Sequence, residues 1–446
     1  MSEQRIITHK YIMVAALCVS VAALPFSVKI CHGAIIILLL NWAAEGDWRA
    51  KQAVVRHSLL LQVFIGFFLI QLAGLFLSDS IFHGWFSLEK KIFLLMLPLA
   101  LATSSVRLTR RDVQRVMWVF VAACLAGTFL CILHSWQETS HLASQAVRVD
   151  NYLGTTPYFE LHKDASEKWL IVSYASLASG IGIHPTYFSL YLAFCISFLL
   201  AVFPAVTSRL QRAGMLTLVL YLTLLVVFLS SRIMIAGLSV IYLVVLLKTF
   251  QNKARVWSAA AMGLIFFFAA VLYANPVTRY RNLEEVRAST FDIQPAGHYA
   301  NAAQIRVSLW WLALSCLPDL NPLFGSGTGD VEKVMSRASE KYRITNSIQS
   351  LDPHNQYLYS LLANGVPGLA VLMLALFVPA YCAWAQKDLL LISFLFLFSI
   401  LCLTESAFEL QKGIVFYAII SGMLFFHVHS FQVGSPDLRS LLRAGQ

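Results

Sequence analysis

The sequence predicts an all-α, polytopic integral membrane protein with about twelve transmembrane helices and one large outer loop that contains short helices. Three observations carry that prediction. Of 446 residues, 58% are hydrophobic and only 13% charged, and the mean hydropathy is +0.70, values foreign to a soluble domain. Apolar runs of roughly 17 to 25 residues, long enough to cross a bilayer as helix, recur along the whole length. Lysine and arginine gather in alternate short loops between those runs, which is the positive-inside pattern.

Taken in order, a short basic start (Arg5, Lys10) precedes spans expected near 11–28, 30–44, 58–78, 91–104 and 113–135. Further spans are expected near 184–204, 213–230, 233–249 and 256–274, then 356–381, 388–404 and 412–429. The first run leads into Pro25, Lys29 and His32 without a small-residue cleavage site, so it reads as a retained span and not a signal peptide. An even count puts both termini on one side. That side then collects Arg49, Lys51 and Arg56, Arg107, Arg110, Arg111 and Arg115, Arg209 and Arg212, and Lys248, Lys253 and Arg255, with few acids. The chain therefore divides into 1–274, with nine spans and an outer loop at about 136–183; 275–355, a large outer loop; 356–430, with three spans; and 431–446, a cytoplasmic tail. A loop as long as 275–355 in a compact membrane protein is more often functional than idle, which puts the chemistry on the outer face.

The net charge of +10 raises nucleic acid as a partner, but the cations sit in short loops and no soluble domain bears a basic cluster. The eight cysteines include no CxxC pair and no metal spacing, so neither a zinc site nor a disulfide framework is expected.

The stretch Asp352-Pro353-His354-Asn355-Gln356-Tyr357 stands at the start of a long apolar run. Asp before Pro reads as an N-cap with Pro at the first helical position, placing His354 and Asn355 in the first turn. The positive end of the helix dipole is then expected to keep His354 neutral and available as a base. Within the large loop, Gln304 to Leu312 reads as an amphipathic interfacial helix bearing Arg306 and the pair Trp310-Trp311. The glycine-rich stretch 321–330 lacks the Gly-Lys-Ser/Thr of a P-loop. It is either a tight turn or a backbone nest for an anion.

Arg232 lies between two apolar runs on the outer side, where an arginine marks a partner or pathway, or else anchors a helix end by snorkelling. Lys90 and Lys91 add cations at the outer start of another span. His184, before Pro185, is either a ligand contact or a cap. Glu405 and Glu409, with Gln411, supply two carboxylates and an amide to hold the cations or touch an acceptor. Several outer cations and one histidine suit a lipid with a pyrophosphate head group: arginine holds phosphate oxygens bidentately, and a histidine takes the proton of an incoming hydroxyl. A lipid-linked oligosaccharide transporter is the reading from another class. It predicts cations along a path through the membrane and internal repeats, neither of which the sequence displays.

In their order, these residues resemble the O-antigen ligase and polysaccharide polymerase family of bacterial inner-membrane proteins. The resemblance covers chiefly 184–425: Ser231-Arg232, Arg306 to Trp310, Pro322 to Gly329, His354-Asn355 with Tyr357-Leu358, Gly365 to Gly368, and Glu405 to Gly413. It implies a metal-independent membrane glycosyltransferase, without cofactor, that takes a glycan from undecaprenyl diphosphate on the periplasmic face of the inner membrane. Its acceptor would be the lipid A core in a ligase, another lipid-linked repeat in a polymerase, or a Ser or Thr hydroxyl in a protein O-oligosaccharyltransferase. The ligase reading leads and the polymerase reading follows. By motif position the resemblance makes Arg232 and Arg306 the diphosphate-binding arginines and His354 the base. It makes Lys90 or Lys91 the lysine before a proline-containing helix. Asn355, Tyr357, His184, Glu405 and Gln411 complete the expected substrate-binding set.

Overall fold

A computed structural model of the chain describes residues 3–142, 173–249, 262–263, 273–274, 279, 302–342 and 352–428. The described residues are helical, with turns and one isolated bridge between Asn321 and Gly325. In chain order the helices are α1 (Glu3–Ala23), α2 (Val28–Ala44), α3 (Trp48–His57), α4 (Leu59–Phe76), α5 (Ile81–Thr103), α6 (Arg110–Leu142) and α7 (Tyr174–Ser179). Then follow α8 (Pro185–Val202), α9 (Arg209–Phe228), α10 (Arg232–Thr249), α11 (Ala302–Cys316), α12 (Val331–Tyr342), α13 (Gln356–Ala385), α14 (Leu389–Leu401) and α15 (Gln411–Met423).

Seven of these helices, α1, α4, α6, α8, α9, α10 and α13, are long and apolar enough to cross a membrane, so the chain is a multi-pass membrane protein. An eighth span results if α2 and α3, bent by 109°, count as one. The remaining expected spans fall in three places. Of the span expected at 91–104, residues 91–103 lie inside α5, a 23-residue helix that carries Glu89, Lys90 and Lys91. The last two are the shorter α14 and α15. Most of the span expected at 256–274, most of the loop expected at 136–183, and much of 275–355 lie outside the described residues.

The core is aromatic and centred on α8, which is buried along most of its length. Tyr191 and Phe194 of α8 meet Phe120 of α6, Phe394 of α14 and Phe416 of α15, the closest pair being Tyr191 and Phe416 with ring centroids 4.6 Å apart. Each such ring removes a large apolar area from its surroundings and fixes its neighbours' rotamers. Phe398, Phe408 and Tyr417 extend the cluster, at 4.8 to 5.3 Å. Phe408 does not belong to a helix. It is the plug by which the loop 402–410 is tied to the core.

The long helix α13 is broken where Asn364 and Gly365 leave helical geometry, Gly365 at φ +62°. Pro367, which has no N–H, follows two residues later. The carbonyls freed at the break are satisfied by the glycine-rich turn. Ser326 N donates to Leu362 O at 2.8 Å, Gly327 N to Ala363 O at 2.9 Å, and Val366 N to Pro322 O at 2.8 Å. On the other side of the turn, Thr328 N donates to Gly74 O and Gly329 N to the Ser78 hydroxyl. Four successive N–H groups of the turn are thus spent on α13, on α4 and on Ser78 just beyond it. The turn closes a helix break and is not an anion nest.

Candidate functional site

The loop 402–410 joins α14 to α15 and folds over the start of α13. Gln356 N donates to Cys402 O at 2.8 Å, and Phe408 N donates to Gln356 Oε1 at 2.7 Å. Asp352 Oδ1 accepts from His354 N at 2.9 Å and from the Ser406 hydroxyl. Loop and helix start are therefore one unit.

The helix begins one turn later than Asp352-Pro353 suggests. Its cap is Asn355, whose Oδ1 accepts from Tyr357 N at 3.0 Å and Leu358 N at 3.1 Å, and the first helical residue is Gln356. His354 precedes the cap with φ +45°, a left-handed conformation uncommon for a residue other than glycine. Asp352 is drawn to Ser406, and Asn355 takes the capping role. This conformation turns the His354 ring toward the loop instead of along the helix.

Glu405 is the meeting point. Its Oε1 accepts from Arg306 Nη2 at 2.9 Å, and Arg306 Nε also donates to Thr404 O at 3.2 Å. Its Oε2 lies 3.6 Å from His354 Nδ1, an ion-pair distance a few tenths of an ångström beyond a hydrogen bond. The Glu405 side chain is only 5% exposed, against 29% for Arg306 and 37% for His354. The cation and the ring thus face outward over a buried carboxylate.

The electrostatics reverse the expectation for His354. Glu405 beside the ring raises its pKa above the ordinary 6.5. Burial opposes this, Asp352 adds to it, and Arg306 subtracts. Burial pushes the Glu405 carboxyl up, but His354, Arg306 and His184 together hold its pKa below the ordinary value. The local anions outweigh the helix terminus because Glu405 is in near contact, whereas the terminal dipole carries only about half a charge spread over a turn.

A second cluster follows on the same loop. Lys91 Nζ, on a side chain 1% exposed, lies 2.6 Å from Glu409 Oε1 and 3.0 Å from both Gln71 Oε1 and the Ser87 hydroxyl. Ser87 in turn donates to Glu409 Oε2 at 2.9 Å. Lys90 is half-buried, with Nζ 3.4 Å from Glu409 O and 4.4 Å from the Phe86 ring centre. Of the two lysines, Lys91 is enclosed in a buried network and Lys90 is the one with surface to offer. Gln71 was not singled out from the sequence, although a glutamine inside an apolar span is the signal that would have found it.

The other expected residues take these places. His184 is the N-cap of α8, its Nδ1 accepting from Thr186 N at 3.4 Å, and it acts electrostatically on Glu405. Tyr357 donates its hydroxyl to Ser399 O at 3.0 Å, joining α13 to α14. Gln411 opens α15 with its Oε1 buried and facing His32 of α2. Arg232 opens α10. Five residues on, Gly237 packs against Leu397 and Ile400 of α14, so the helix that Arg232 opens lies against α14. The stretch 304–312, expected as an amphipathic interfacial helix, is helical in α11 but does not sort its polar and apolar residues onto opposite faces. Its Gln304, Ser308, Leu309 and Leu312 are buried, and Trp311 stacks edge-on against Tyr342 of α12.

Residues 216–373 match the family model described as O-Antigen ligase. That stretch runs from α9 into α13 and includes Arg232, Arg306 and His354. Direct comparison with curated proteins gives no match.

Proposed function

From a chain that carries an O-antigen ligase domain over residues 216–373, we propose a membrane glycosyltransferase. It moves a glycan from undecaprenyl diphosphate to an acceptor hydroxyl, that of the lipid A core, at the periplasmic face of the inner membrane. The observation that carries this reading is the convergence of Arg306 and His354. They stand on different segments of the chain, yet both contact Glu405.

In this proposal the donor's diphosphate binds at Arg306 and Arg232. A planar guanidinium pairs with two phosphate oxygens at once and opposes the charge that grows as the diphosphate departs. Because a diphosphate leaves readily, the remaining demand is a base for the acceptor hydroxyl. His354 takes that proton, its ring exposed at the site while its other nitrogen faces Glu405. Direct attack on the anomeric carbon inverts it. Lys90 adds a positive charge beside the same loop, and the scheme uses no metal.

The test is transfer by purified protein in nanodiscs, with undecaprenyl-diphosphate glycan, lipid A core and EDTA. Glycan on lipid A core is the expected product, absent with His354→Ala and Arg306→Ala variants that fold. Longer lipid-linked chains instead would assign a polymerase, which shares the donor chemistry and differs in acceptor. Absence of turnover with either acceptor would overturn the glycosyltransferase reading.

A further inference from the structure

We propose that Glu405 is the positioning residue of this site: it holds His354 through one carboxylate oxygen and Arg306 through the other, so base and diphosphate clamp are set by a single group. The inference rests on the assignment of His354 as base. It assigns Glu405 to the protein's own residues and not to the substrate, because both oxygens are occupied and the side chain is 5% exposed.

The geometry dictates the role. A carboxylate facing Nδ1 keeps the proton on that nitrogen and leaves Nε2 with the free lone pair that must receive the acceptor's proton. As the imidazolium forms, the same carboxylate stabilises it without taking the proton itself. The Nδ1 to Oε2 separation of 3.6 Å is an ion-pair distance, and catalytic hydrogen bonds of this kind often tighten only in the reacting complex. A naked carboxylate beside a diphosphate site would repel the donor. Here Arg306 engages it directly at 2.9 Å. The loop holds Glu405 in place through Gln356 N on Cys402 O, Phe408 N on Gln356 Oε1, and the Phe408 ring in the aromatic core.

The charged and titratable groups that act on the pair are Asp352, Arg306 and His184. Their signs give a consequence. Asp352 and Glu405 favour the imidazolium, and the Arg306 charge disfavours it. A diphosphate seated on Arg306 offsets that positive charge. His354 then becomes the stronger base when the donor is bound, so the hydroxyl is deprotonated most readily once a glycan is in place.

The test compares wild type, Glu405→Gln and Glu405→Asp in the transfer assay over a range of pH, with the His354 ring followed by NMR and identified by its loss in His354→Gln. Glu405→Gln keeps the shape and removes the charge. Its kcat is expected to fall by about 10²- to 10⁴-fold, with little change in donor KM. Its acidic limb is expected to move to lower pH, because the carboxylate that raised His354 is gone. Glu405→Asp is expected to restore the limb and part of the rate. In wild type, His354 is expected to titrate above about 6.5 and higher still when a short-chain prenyl diphosphate is added. An unmoved acidic limb in Glu405→Gln, or a loss confined to donor KM, overturns the proposal. If that variant does not fold, wild-type His354 titrating at or below the ordinary value overturns it. Transfer that survives His354→Ala counts instead against the base assignment and leaves the NMR result to judge the geometry.

Discussion

At His354 three charges compete, and the balance sets how the site responds to pH. Asp352 and Glu405 pull its pKa up and Arg306 pulls it down, with the net shift upward from 6.5. A general base works only while neutral, so transfer is expected to fall as pH drops through a value above that ordinary one, and to fall earlier than for an unperturbed histidine. A kcat profile whose acidic limb lies below about 6.5 would contradict this. His354→Ala is expected to lose about 10²- to 10⁴-fold in kcat, the worth of a general base. Arg306→Lys keeps a charge and loses the fork. Losing one charge-assisted hydrogen bond costs about 1.5–3 kcal/mol, so donor KM is expected to rise by about 10- to 100-fold, read from initial rates at varied donor. The sequence named both residues but misread the corner between them. Asp352 and Asn355 are both good caps three residues apart, and Pro353 favours the first. The choice of the second depends on Ser406, more than fifty residues away, which no local pattern reveals.

The element on which the site depends is the broken helix α13 with the turn that seals it. A Cβ on Gly365 would lie 2.3 Å from Pro322 O, and one on Gly325 would lie 2.4 Å from Leu362 O, both at positive φ. Gly365→Ala is therefore expected to cost about 2–4 kcal/mol through strain and clash, seen as a lowered thermal midpoint in detergent. An unchanged midpoint would mean that the turn does not seal the break. On α5, the Lys91–Glu409 pair is enclosed with Gln71 and Ser87. Lys91→Met leaves a buried carboxylate unpaired, a loss of about 3–5 kcal/mol. Replacing Glu409 by Gln in the same protein is expected to recover most of it. Failure of the double variant to recover would show that Lys91 matters for more than the pair. The sequence left open whether Lys90, Lys91 or both face outward. On a helix, neighbouring residues point about 100° apart, so one of them turned inward to Glu409.

Across the whole molecule, hydropathy made the all-helical, multi-pass architecture legible, because a bilayer demands long apolar runs whatever the fold. What it could not supply is which loops meet. Arg306 on α11, His354 before α13 and Glu405 after α14 each stand out in the sequence as a polar residue beside an apolar run. Their convergence is made by the aromatic core under α8 and by Phe408, whose role looks like any other phenylalanine's until the packing is known. Orientation follows from the same organisation: if the site faces the periplasm, the exposed Arg107, Arg110 and Arg209 lie on the cytoplasmic side. Single cysteines at those positions, in a cysteine-free background, are expected to resist an impermeant thiol reagent in intact cells and to react after lysis. Labelling in intact cells would invert the topology.

The most direct measurement of the central claim separates binding from chemistry at the two residues that meet on Glu405. Donor affinity and single-turnover transfer are measured side by side for wild type, His354→Gln and Arg306→Ala in nanodiscs. The account predicts that His354→Gln binds the lipid diphosphate about as tightly as wild type yet transfers at least about 10²-fold more slowly, whereas Arg306→Ala loses donor affinity. Equal transfer by His354→Gln and wild type, or undiminished donor affinity in Arg306→Ala, would contradict it.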